Sequence, residues 1–141
     1  MHLIHPALVH FSVAFLVAGG LLEAAGILLR KENREQVGAM LVLAGTLFLA
    51  PTVAAGFLAQ NSVAGFNGGE ADVALHERFG LVLLGLFIAL AMWKGWYQGR
   101  LPADQKVLYA VLVLAGVLLT LATAWMGGHL VYGYGIGVTF G

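Results

Sequence analysis

The sequence has no cysteine and very little charge, and both absences narrow what the protein can be. Without cysteine there is no disulfide, thiolate zinc site, iron–sulfur cluster or covalently attached c-type haem. Charged residues make up only 10% of the 141 residues, against roughly 25% in an ordinary soluble domain. The net charge is zero, so nothing favours nucleic acid as a partner.

Apolar residues make up 60% of the chain and occur in four long runs. A helix needs about 20 apolar residues to cross the hydrocarbon of a bilayer. Four stretches qualify, and each is apolar on every face: residues 6–29, 37–59, 73–93 and 107–126. Backbone groups in lipid need internal partners, so each run predicts a helix. Short connections predict one all-α domain over residues 1–141, an up-down-up-down four-helix membrane bundle.

The basic residues predict which side of the membrane each loop faces. Arg78 lies apart from the other basic residues, which fall in the first and third loops: Arg30, Lys31, Arg34, Lys94, Arg100 and Lys106. Short loops rich in lysine and arginine stay in the cytoplasm. The sequence therefore predicts a multi-pass protein of the bacterial inner membrane, with both termini on the outer, periplasmic side.

Histidine is concentrated at this predicted outer side, in the set His2, His5, His10, His76 and His129. His10 comes four residues after Pro6, and His76 comes four residues after Asp72, a suitable N-cap. The two imidazoles are therefore predicted at similar depth on the first and third helices, which face each other diagonally in an up-down bundle. Bis-histidine ligation of haem b needs two such rings, so His10 and His76 are the predicted ligands.

Other residues at about this level fit the same prediction. Gly80 and Gly56 leave room for a macrocycle, and Arg78 is the guanidinium available to haem propionates. His129 is placed to bond a propionate or to replace a ligand. The alternative is a zinc or copper site, since imidazole also suits those metals, built from His5, His10, His76 and His129.

Two further features of the sequence lead to expectations about the structure. Glu23 lies well inside the first span, where a charged group is expensive. It is expected either to bond a neighbouring helix, with Lys94 within reach, or to serve as a proton relay or quinone-site acid. The glycine-rich tail after Met126 is expected to leave the helix and fold across the outer mouth of the bundle.

The opening HPALVHF, the helix start at His76 and the closing GGHLVYGYGIGV resemble bacterial membrane proteins called domain of unknown function twenty-two thirty-one. The resemblance covers essentially the whole chain and implies a four-helix membrane fold. Relatives joined to cytochrome or Rieske-type modules imply a redox setting. His5, His10 and His76 match the family's histidines. Ser12 stands where the family usually has proline, and His129 fills a variable position.

The leading hypothesis is a small b-type cytochrome-like protein that exchanges electrons with a periplasmic carrier or a respiratory complex. Two axial histidines leave no open iron position, which favours an electron carrier over a stand-alone enzyme. One alternative is a non-redox accessory subunit of a larger membrane complex, without a cofactor. The other is a histidine metal-binding membrane protein. Lipid is the expected surrounding, and a homo-oligomer is compatible with the sequence.

Overall fold

The computed structural model describes residues 4–60 and 69–136, and within these residues the regular structure is four α-helices. They are α1 (Ile4–Leu28), α2 (Glu32–Gln60), α3 (Glu70–Trp96) and α4 (Ala103–Tyr134). By length and composition, each of the four can cross a membrane. The all-α, four-helix prediction is confirmed.

The helices run past the apolar stretches that predicted them, except that α1 ends at Leu28, one residue before the end of its stretch. The hydrophobic run marks only the part of a helix that lies in hydrocarbon, and the backbone hydrogen bonds continue beyond it. Helix α4 reaches Tyr134, so the expectation of a folded-over tail is wrong for residues 127–134; residues 137–141 lie outside the described residues. Helix α3 begins at Glu70 with Gly69 as its N-cap. Asp72 is therefore not the cap, and it accepts a hydrogen bond from the Tyr134 hydroxyl at 2.6 Å.

Each helix packs against two others, α1 on α2 and α4, and α3 on α2 and α4. Over residues 4–60 and 69–136, no close backbone contact joins α1 to α3 or α2 to α4. The space between the helices is filled by side chains with almost no exposed surface, including Leu16, Phe87, Leu90, Tyr109 and Val113. Helices α1 and α3 are therefore not in direct contact, and an interaction between their side chains has to cross the core of the bundle.

The tightest helix pair is α1 with α2, and glycine makes it possible. A Cβ added at Gly45 would lie 2.8 Å from the side chain of Leu16, and one at Gly38 would overlap the backbone of Glu23. Equally close approaches occur at two glycines of α1, Gly19 and Gly26. Without a hydrophobic force between helices in lipid, small residues allow the close contact that holds them together.

Glu23 is fully buried where these helices meet. The ammonium group of Lys94, on α3, donates a hydrogen bond to its Oε1 at 2.6 Å. The expected hydrogen bond between Glu23 and another helix is confirmed, and the donor is Lys94 of the diagonally opposite helix α3.

Candidate functional site

His5 lies on α1 against the end of α2. Its Nδ1 is 2.9 Å from the backbone carbonyl oxygen of Thr52. The ring rests on Gly56, where an added Cβ would stand 3.2 Å from its Cε1. A carbonyl can only accept, so Nδ1 carries the hydrogen and a neutral ring keeps its lone pair on Nε2. Gly56 therefore makes room for the imidazole itself.

The phase of α1 turns His5 toward the other helices. Ser12, Leu16 and Glu23 follow it at spacings of seven, four and seven residues, and all three are buried. Residues at these spacings share one face of a helix. Below His5, the Ser12 hydroxyl meets the Thr52 hydroxyl at 3.0 Å. His5 therefore lies at the N-terminal end of the buried face of α1, and the hydroxyls of Ser12 and Thr52 come next along this face.

His76 lies near the start of α3, and its ring packs against α4. An added Cβ at Gly127 would be 3.1 Å from its Cε1. The backbone of Thr123 on α4 and the ring of His5 on α1 are among the groups that influence the charge of this imidazole. Its Nδ1 is buried and has no hydrogen-bond partner among the described residues. A buried polar atom of this kind needs an explanation, such as a bound ion or ligand.

We call His5 and His76 the histidine pair. The Nδ1 of His5 is directed at the backbone carbonyl of Thr52 on α2, and His76 has the backbone of Thr123 on α4 beside it. A hydrogen bond from one nitrogen to a carbonyl fixes the tautomer and leaves the other nitrogen as a ligand, the usual arrangement around a metal-bound histidine. The nitrogens left over are Nε2 of His5 and Nδ1 of His76.

His10 is placed differently from His5. Five residues separate the two, which turns their side chains about 140° apart around the helix axis. His10 is exposed, on a face of α1 with other exposed residues such as Ala14, Ala18 and Leu21. The pairing of His10 with His76 stays a prediction, but the helix phase favours His5 in its place.

The remaining residues of the predicted haem site are spread around this end of the bundle. Arg78 is exposed, two residues from His76. An added Cβ at Gly80 would be 3.8 Å from Val53, so this glycine lies between α3 and α2. Neither residue has a described contact with the histidine pair.

His129 lies within α4 and is exposed. Its ring stacks on Trp125, with centroids 5.9 Å apart, and meets Tyr134 edge-on at 5.5 Å. A shallow cavity of about 320 Å³ lies beside it, lined by Trp125, Gly128, His129 and Tyr132. The described ring contact of Trp125 is with His129. His129 therefore belongs to an aromatic group on the surface of α4.

A metal ion held by the protein alone needs several ligands close together. Within residues 4–60 and 69–136, no three histidine or acidic side chains come together in a way that could hold one. His5, His10, His76 and His129 therefore do not form such a group in the structure, and the zinc or copper site stays a prediction. His2 lies outside the described residues.

Comparison with known proteins adds one finding to this geometry. A family model described as "Predicted membrane protein (DUF2231)" matches residues 1–140. The chain belongs to the DUF2231 family. The resemblance inferred from the opening and closing motifs is thereby confirmed, and this DUF2231 protein is a membrane protein in contact with the lipid bilayer. No curated protein and no solved structure matches it.

In this DUF2231 protein a polar contact joins α1 and α2 beneath His5. The Ser12 hydroxyl donates to the Leu8 carbonyl at 3.0 Å and lies 3.0 Å from the Thr52 hydroxyl. The sequence signal for the site was the seven-residue spacing from His5 to Ser12, which places both on one helix face.

Proposed function

We propose that this DUF2231 protein is a small b-type cytochrome, in which His5 and His76 are the axial ligands of a haem. The single observation that carries the proposal is the histidine pair. The two imidazoles come from helices that do not touch, His5 is among the groups that influence the charge of His76, and His76 has a buried nitrogen without a partner among the described residues. That is the donor set a bis-histidine centre uses.

The number of ligands distinguishes haem from a bare metal ion. Structural zinc takes four ligands from the protein, and catalytic zinc takes three. The histidine pair supplies two, and the described residues add no third histidine or carboxylate. Haem brings its own four equatorial nitrogens, so two imidazoles complete its coordination. The pair therefore fits haem better than zinc.

In this proposal the residues of the chain hold, orient and enclose the cofactor. The Thr52 carbonyl keeps the His5 imidazole in the tautomer that exposes the lone pair of Nε2, and the backbone of Thr123 lies beside the His76 ring. Gly56 and Gly127 let the rings lie against α2 and α4. Arg78, on the exposed side of α3, is the proposed partner of a propionate. When bound, haem would supply one-electron chemistry, and the proposed partners are a periplasmic carrier or a respiratory complex.

The test is an absorption spectrum, oxidised and reduced, of the full chain purified after expression with ample haem, together with its iron content. The proposal expects a Soret band, one iron per chain, and loss of both in His76→Ala. His129→Ala is the matched control, because it removes an exposed imidazole on α4 and should keep the spectrum. Protein without haem or iron, or with stoichiometric copper in place of iron, would refute the cytochrome proposal.

We also propose that the helices run up-down-up-down, with the termini on the periplasmic side of the bacterial inner membrane. Support comes from paired contacts in opposite order along α1 and α2, where Gly38 meets Glu23, Gly45 meets Leu16 and Gly56 meets His5. The basic loops support the orientation.

The chain has no cysteine, so single cysteines can report this orientation directly. Asn33→Cys in the first loop and Ala71→Cys near the start of α3 both replace exposed residues. In intact spheroplasts an impermeant thiol reagent should label Ala71→Cys and spare Asn33→Cys until the membrane is opened. The reverse pattern would invert the orientation, and equal labelling of both would contradict the topology.

A second candidate, an accessory subunit of a larger membrane complex, is supported by α3. Only 17% of its span is buried inside the chain, against 44% for α1. Gly85, in the middle of α3, has open space around the position of an added Cβ. An exposed glycine in lipid favours close approach of another helix. Gly85→Leu should then disrupt co-purification with a partner while leaving the isolated chain folded.

A further inference from the structure

A chain of ionised side chains enters the bundle far from the histidine pair, and the proposed haem site does not use it. Lys106 donates to Oε2 of Glu35 at 2.8 Å. Lys94 lies 3.4 Å from Oε1 of Glu35 and 2.6 Å from Oε1 of Glu23. Glu23 is about 27 Å along α1 from His5. The four groups come one from each helix, and we call them the charged chain.

One end of the charged chain is the most exposed and the other end is the most buried. The side chain of Lys106 is 33% exposed, those of Lys94 and Glu35 are 11% and 9% exposed, and that of Glu23 is 0% exposed. Hydrogen-bonding groups therefore lead without a break from a side chain that water reaches to a carboxyl group that water does not reach.

One carboxyl oxygen of Glu23 has no described hydrogen bond. Lys94 occupies Oε1, while Oε2 is buried and has no hydrogen-bond partner among the described residues. The Tyr109 phenol on α4 also faces Glu23, and its ring lies 5.4 Å from the Lys94 nitrogen. A buried carboxylate oxygen without a hydrogen bond costs free energy, and a proton bound there would remove its charge.

The interior beyond Glu23 is closed. Leu16 precedes it by seven residues on the same face of α1 and is fully buried, as are Phe87 on α3 and Val113 on α4. These apolar side chains fill the core between Glu23 and the hydroxyl pair near His5. The charged chain therefore opens toward the end of the bundle that carries the basic loops, and it stops at Glu23.

We propose that Glu23 is a proton-binding site in the membrane interior, loaded through Lys106, Glu35 and Lys94 from the side of the basic loops only. The net step moves one proton from a hydronium ion at that surface to the Glu23 carboxylate, which leaves water and a neutral carboxyl group. Within the chain, Lys106 gives a proton to Glu35 and regains one from the hydronium ion, Glu35 passes a proton to Lys94, and Lys94 gives its own to Glu23. The order of these contacts is the order of the hydrogen bonds.

A proton is the ligand that this site fits. The two ammonium groups already occupy the positions where a metal cation would sit between the carboxylates. An anion would meet the bare, negatively polarised oxygen of Glu23. The other titratable group that faces Glu23, the Tyr109 phenol, comes from α4 and is part of the same contact.

The experiment is infrared difference spectroscopy of the full chain in lipid vesicles, recorded as the pH is changed from mildly alkaline to mildly acidic. The proposal expects a carbonyl-stretch band of a newly protonated carboxyl group, shifted in heavy water and lost in Glu23→Gln. The matched control is Glu77→Gln, a carboxyl group of α3 outside the charged chain, which should keep the band. Oriented vesicles should show the band after a pH jump on the side of the basic loops, and not after a jump on the other side.

Two further variants guard against a loss of folding. Glu23→Gln combined with Lys94→Met removes the buried pair without leaving a lone charge, and it should also lack the band. Glu35→Gln keeps Glu23 and should keep the band but slow its appearance about a hundredfold, the low end of what a positioned proton-transfer group contributes. A wild-type protein without the band, or a band that survives in both Glu23 variants, would overturn the proposal and leave an ion pair with a structural role. Equal response to both pH jumps would overturn its one-sided access.

Discussion

Gly38 lies where α2 comes closest to α1, and replacing it by alanine is the sharpest available test of the packing. An added Cβ would overlap the backbone nitrogen of Glu23, with the Glu23 Cα 2.5 Å away and its Cβ 2.7 Å away. Backbone atoms cannot swing aside as the end of a side chain can. The two helices must therefore separate, and the separation also moves the carboxyl group that bonds Lys94.

The size of the effect follows from two opposing terms. Overpacking a well-packed interior costs about 1–3 kcal/mol, and a clash with backbone belongs at the upper end. Replacing glycine by alanine within a helix gains at most about 1 kcal/mol. The net loss of unfolding free energy should be about 2 kcal/mol, which lowers the ratio of folded to unfolded protein by roughly thirtyfold.

Gly85 on α3 provides the matched control, because nothing lies within 4 Å of its added Cβ. Gly85→Ala should keep the propensity gain without the clash, and be as stable as the wild type or more stable. Reversible unfolding in mixed micelles with a denaturing detergent, followed by circular dichroism, measures both variants. A Gly38→Ala protein at least as stable as Gly85→Ala would refute the close packing of α1 on α2.

Two further substitutions test the polar contacts between helices. Lys94→Met leaves Glu23 buried without its cation and should cost about 3–5 kcal/mol of unfolding free energy in the same assay. The double variant Lys94→Met with Glu23→Gln should recover most of that loss. Equal instability of the two proteins would contradict the ion pair. Thr52→Val removes the hydroxyl that meets Ser12 and should cost about 0.6–1 kcal/mol, and a more stable variant would show that this contact does not hold α1 to α2.

The number and type of helices could be predicted from composition, but their ends could not. Apolar runs report how much of a helix lies in hydrocarbon, and α2 and α4 extend beyond that depth at both ends. Gly127 and Gly128 looked like the start of a loop because glycine is a poor helix former in water. In the structure Gly127 stays helical, and its missing Cβ is what lets the His76 ring lie against α4.

The candidate site could be predicted in part. The choice of helices for the two imidazoles follows from the sequence, but depth alone selected His10 over His5. The position of each histidine around the helix axis was the better guide. Glu23 is thirteen residues from His10, which places the two on roughly opposite faces of α1. It is eighteen residues, or five turns, from His5, which places those two on the same face. The buried Glu23 then fixes which histidine faces inward. The backbone partners at Thr52 and Thr123 depend on packing, and no pattern in the sequence indicates them.

The ligand role of His5 is the claim on which the proposed function depends, and one comparison tests it directly. Reduced-minus-oxidised absorption spectra of His5→Ala and His10→Ala, prepared identically with haem, should differ completely. His5→Ala should lose the cytochrome bands, and His10→Ala should keep them at the wild-type intensity per chain. Bands that survive in His5→Ala and disappear in His10→Ala would contradict the assignment and return the ligand to the exposed face of α1.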